Sequence, residues 1–178
     1  MFYELALEVC TNQEKKPIEQ LAQALFELPY VRGPLTKQTL EPTKLDTEYF
    51  DHAGYLRIGE KEIPFSLFFI SEGAIGGSNW LDMGMYATVY EEVEGLGRYV
   101  VKEEEALKEL FLQIAKYLYT VYPFRVGLIG YEVSGMYSLQ CLKEQEISEQ
   151  EALNTTFILP KKEMLKGDNQ QWVILVGE

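Results

Sequence analysis

Reactive side chains are sparse in this sequence, and their neighbours limit what each can do. His52 is the only histidine, and Asp51 precedes it. An imidazole beside a carboxylate is the raw material of a general base. A triad would also need a serine, and the GxSxG turn that presents one is missing. The plainer expectation is a turn histidine next to Gly54. The run from Gly73 to Asn79 includes Gly76 and Gly77, so its backbone N–H groups are candidates to cradle a phosphate. It lacks the GxxxxGKS/T pattern, and a strand-like run follows it in place of a helix. A hairpin loop with Trp80 as a core or edge anchor is the plainer expectation. Glu132 ends an apolar run beside Tyr131, where burial would perturb a carboxylate. A solvated strand end is the alternative. Together His52, Gly76, Gly77, Trp80 and Glu132 outline one hypothetical small-molecule pocket. With one histidine, no paired thiols and no DxDxDG-like spacing, neither a metal site nor a cofactor is expected.

Charge is the more distinctive chemistry. Sixteen basic residues face 28 acidic ones, a net charge of −12. Glu91, Glu92, Glu94, Glu103, Glu104 and Glu105 put six carboxylates within fifteen residues, offset by Arg98 and Lys102. Glu144, Glu146, Glu149 and Glu151 form a second cluster, offset by Lys143. Such runs are usually solvated faces. Here Tyr86, Tyr90 and Tyr99 flank the first cluster. Rigid rings supply contact area and acids supply steering, the make-up of a protein-binding patch. The expected partner-binding set is Tyr86, Tyr90, Glu91, Glu92, Glu94, Tyr99, Glu103 and Glu104, facing a basic protein. The Lys/Arg runs go no further than Lys15-Lys16 and Lys161-Lys162, so nucleic acid and anionic membrane are not expected partners.

The element expected to organise the chain runs from Glu103 to Ser134. Leu107, Leu110, Phe111, Ile114, Leu118 and Val121 recur at helical spacing, and Glu103 to Glu105 suit a helix start. Pro123 stops the helix, and Phe124 to Val133 reads as a central apolar strand. This places Phe111 and Ile114 against the sheet with Leu128 beneath them. Phe2 to Val9 alternates as a half-buried strand, with Glu4 and Glu8 on the solvent side. Pro17 opens a helix with the stripe Ile18, Leu21, Ala22, Leu25 and Phe26, and Pro29 closes it. The segment from Tyr30 to Tyr49 reads as a loop with a short strand near Lys37–Leu40. Tyr55–Ile58 and Ile63–Ile70 form a hairpin turning at Gly59. Leu81 to Tyr90 alternates strictly, and Glu91 to Gly97 is an acidic turn. Met136 to Cys141 is read as strand, and Ser148 to Glu151 as a helix start. Thr155–Leu159 and Trp172–Val176 are the last strands.

These elements make an α+β single domain over residues 1–178. Its sheet is mainly antiparallel, of about six or seven strands, with two amphipathic helices packed on one face. At 47% hydrophobic and 13% aromatic residues the chain has material for a core. Cys10 and Cys141 lack paired spacing and read as free thiols in a reducing compartment. The N-terminus does not read as a secretory signal and no apolar run reaches membrane-helix length, so the expected location is cytoplasmic. No catalytic constellation emerges, and an enzyme is the less favoured reading. In composition alone the chain is similar to bacterial toxin-immunity and antagonist proteins. The leading expectation is therefore a non-enzymatic acidic protein that binds, and inhibits, a basic partner. The alternatives are the pocket above and a homo-oligomeric structural protein, for instance a homodimer paired through exposed Phe65–Ile70.

Overall fold

The structure, a computed structural model, describes residues 2–10, 16–36, 38–45, 51–70, 79–85, 90–93, 98–101, 104–133, 137–144, 155–159 and 172–174. In chain order the elements are β1 (Tyr3–Cys10), α1 (Lys16–Phe26), β2 (Val31–Thr36), β3 (Asp51–Ile58), β4 (Lys61–Ile70), β5 (Asn79–Met85), β6 (Tyr90–Val93) and β7 (Arg98–Val101). Then follow α2 (Glu104–Val121), β8 (Val126–Tyr131), α3 (Leu139–Glu144), β9 (Thr155–Leu159) and β10 (Trp172–Ile174). Eight strands form one sheet in the order β10-β9-β8-β1-β5-β4-β3-β2, while β6 and β7 form a separate two-stranded ribbon. Within the sheet all pairings are antiparallel except β9 with β10. The result is the α+β arrangement that the strand and helix periodicities predict.

α1 and α2 cover one face of the sheet. Tyr3, Leu5, Leu7 and Val9 of β1 meet Leu21 and Leu25 of α1 and Leu107, Phe111, Ile114 and Leu118 of α2 in one core. The Tyr3 ring stacks on Phe111 at 5.9 Å between centroids. A gap of only ≈ 10 Å³ remains between helices and sheet, lined by apolar side chains such as Leu5, Leu25 and Ile114. It offers a water no polar partner and so stays dry. The stripe of α2 is correct in angle but not along its whole axis. Leu107, Phe111, Ile114 and Leu118 are buried, whereas Val121 is 40% exposed because the last turn extends beyond the residues that cover it. The facing of β8 corrects the expectation for Leu128. Leu5 pairs with Ile129 and Ala6 with Leu128, so Ile129 looks toward the helices and Leu128 lies on the opposite face.

That opposite face is the main departure from the sequence reading. The strand β1 is buried on both sides, with Glu4 3% and Glu8 0% exposed. Every residue of β5 is buried as well, Asp82 included. The cover comes in part from α3 and Tyr137: Leu139 and Leu142 pack with Ala6, Trp80, Leu128 and Phe157 in a second core. The segment expected as strand at Met136–Cys141 instead ends in this short helix. Ser138 caps it, its Oγ accepting the Cys141 N–H at 3.1 Å. Cys141 is half-buried, and Cys10 ends β1 as expected.

The hairpin β3–β4 turns at Gly59 and Glu60, with Gly59 at φ +59°, where only glycine is unstrained. Pairing of β4 with β5 begins at Phe65, so Pro64 stands outside that ladder, where its missing N–H leaves no gap. β4 is internal, bonded to β3 and β5, so Phe65–Ile70 is not the free edge that a homodimer was expected to use. The short strand expected near Lys37–Leu40 lies earlier, as β2. Leu40 adopts φ 55°, which a strand does not allow, and its N–H donates to Thr36 O. The helix start expected at Ser148–Glu151 lies outside the described residues.

Candidate functional site

The acidic–aromatic set falls on the ribbon and on the start of α2. Tyr90, Glu91 and Glu92 belong to β6, Tyr99 to β7, and Glu104 opens α2. Tyr86, Glu94 and Glu103 lie outside the described residues. What sequence alone read as an acidic turn is a two-stranded element, with Tyr90 opposite Val101, Glu91 opposite Val100, Glu92 opposite Tyr99 and Val93 opposite Arg98. The register thus sets Glu92 directly opposite Tyr99. Only two residues separate Val101 from Glu104, so the end of β7 lies within about 11 Å of the start of α2. In that first turn Glu105 is exposed, as is Glu109 one turn on.

The hypothetical pocket is not assembled. His52 is not in a turn: it is 5% exposed in the middle of a strand row, paired with Thr36 of β2 and Leu67 of β4. The row, through Leu67, places it on the helix-covered side. Glu132 follows β8, four strands from β3, or about 19 Å across the sheet. It is exposed, and its carboxylate accepts the Phe2 N–H at 2.7 Å while its own N–H donates to Phe2 O at 3.0 Å. This two-way clamp holds Glu132 at φ 53°, a costly conformation for a residue with a side chain. Trp80 pairs with Glu8 at the far end of β1 from Phe2 and is 0% exposed on the face away from the helices. Its indole N–H has no hydrogen-bond partner among the described residues. Gly76 and Gly77 lie outside the described residues. His52, Trp80 and Glu132 therefore occupy different faces and ends of the sheet.

The residues that sequence reasoning missed are the buried polar ones. Across the second face one row reads Thr155, Gly130, Glu4, Gly84, Ser66 and Ala53, so a buried carboxylate has glycine on both sides. The Phe2 ring covers Gly84, where an added Cβ would come within 3.3 Å of it. One row on, Asp82 pairs with Ala6, and beyond that Glu8 pairs with Val126. The Glu8 carboxylate accepts Arg125 Nη1 at 3.0 Å and the Leu139 N–H at 2.6 Å, tying β1 to the entry of β8 and to the first residue of α3. Glu4 and Asp82 are likewise engaged within the fold. No group of three His, Cys, Asp or Glu among the described residues has the geometry to hold a metal ion. The Glu8 carboxylate joins β1 to the entry of β8 and to α3. Alternation alone identifies its face, but what covers that face is brought there from 130 residues away.

None of the helices among the described residues is long and apolar enough to cross a membrane. Compared with protein-family models, with curated proteins and with solved structures, the chain matches none.

Proposed function

We propose that the protein is a non-enzymatic, cytoplasmic, acidic binding protein that engages a basic protein partner through the β6–β7 ribbon and the start of α2, inhibiting that partner as toxin-immunity proteins do. The observation that carries the reading is the register pairing Glu92 with Tyr99, which sets an acid and an aromatic side by side on a ribbon outside the main sheet. A net charge of −12 steers a basic partner from a distance, and tyrosine supplies contact area once it arrives.

The test is capture at low salt from the native host with the protein immobilised. Glu92→Lys combined with Tyr99→Ala changes both members of one cross-strand pair, and Glu91→Lys changes one member of the next. A specific basic protein that is retained by wild type and lost with the double variant supports the reading. Retention unaffected by all three substitutions, or no specific basic partner at all, overturns it.

A further inference from the structure

A cleft of ≈ 540 Å³ separates α1 from the residues that follow β2. That is the size of a ligand site. Its floor is apolar and firmly held: the Phe26 ring stacks on Phe65 at 6.0 Å, and Pro34 and Leu45 complete it. Two glycines make room for the ring pair. A Cβ on Gly33 would lie 2.6 Å from Phe26, and one on Gly54 would lie 2.5 Å from Phe65. Gly33 also sits at φ 147°, a conformation that other residues rarely adopt. One wall presents Glu19 and Gln23 of α1 and Glu27 just past its end, spaced four residues apart, with Gln23 Nε2 donating to Glu27. The other wall carries Lys44, the single positive charge among the described lining residues.

Eight residue steps lead from Glu19 to Glu27, whose N–H still donates to Gln23 O in helical fashion, about 12 Å along the axis. An extended chain covers that distance in three to four residues. We infer that this cleft receives an extended segment of the basic partner, with two Lys or Arg residues three or four positions apart on Glu19 and Glu27 and an apolar residue between them on Phe26, Pro34 and Leu45. The inference deepens the partner reading by naming what the partner presents.

The probe is a blocked pentapeptide, Arg-Ala-Leu-Ala-Arg, titrated into the intact protein and followed by amide chemical shifts. The expected result is shifts concentrated on α1 and on Gly33 to Leu45. Glu19→Gln with Glu27→Gln should weaken the peptide by roughly three- to ten-fold, since each rim pair contributes modestly. Lys44→Ala should tighten it. Glu27 and Lys44 are exposed and Glu19 is half-buried, and the unchanged spectrum of each variant elsewhere verifies folding. Shifts confined to other surfaces, an unchanged affinity in the double variant, or weaker binding in Lys44→Ala would overturn the inference. Its failure is separable from that of the partner reading. A peptide that misses the cleft leaves host capture by the ribbon intact, and host capture that fails leaves a cleft-bound peptide unexplained by any partner.

Discussion

Glu8 shows how one side chain decides a local structure. It is fully buried, and it accepts hydrogen bonds from Arg125 and from the first N–H of α3. Removing it would leave that N–H unsatisfied, while Arg125, whose side chain is 31% exposed, can turn partly to water. Glu8→Ala should therefore cost about 2–4 kcal/mol, short of the 3–5 kcal/mol of a pair broken in full burial. Glu8→Gln retains an acceptor and should cost less than half of that. Urea unfolding of the two variants checks the ordering, and equal losses would mean that charge, not the capping contact, holds α3. Nothing in the local sequence marks this residue: Glu4 and Glu8 have the alternation of a solvated face, and only segments distant in the chain bury it, α3 among them at Glu8.

The helix α2 and the strand that follows it test facing at the element scale. Phe111 and Ile114 are 0% exposed against β1 and β8, and Lys116 is exposed. Phe111→Ala should cost about 3–5 kcal/mol and Ile114→Ala about 2–5 kcal/mol, since each leaves a cavity in a core with almost no spare volume. Lys116→Ala should change stability by less than about 0.5 kcal/mol. Denaturant midpoints of the three variants decide it, and a Lys116→Ala loss matching that of Phe111→Ala would refute the facing. This helix was legible because a 3.6-residue stripe is a local property. α3 was not, because Leu139 to Glu144 is too short for a stripe to repeat, and its helix is held by the Ser138 cap and the Glu8 carboxylate.

For the whole molecule, charge and layering set the behaviour. If a net charge of −12 steers a basic partner, the association rate should fall steeply as salt rises through 0.1 M, where charges are screened beyond about 10 Å, while dissociation changes much less. Stopped-flow mixing across a salt series measures it, and a rate indifferent to salt would rule out steering. The sequence by itself determined the α+β class, the two long helices, the β3–β4 hairpin and the acidity, because periodicity, turn chemistry and charge are properties of neighbouring residues. Only the tertiary structure decided that the sheet is covered on its second face, that Leu128 and Ile129 look in opposite directions, and that Glu92 is paired with Tyr99 on a ribbon. Strand order and register are settled by pairings between residues as distant as Glu4 and Gly130. A shift of one residue in such a pairing exchanges the buried and exposed faces without altering any local signal.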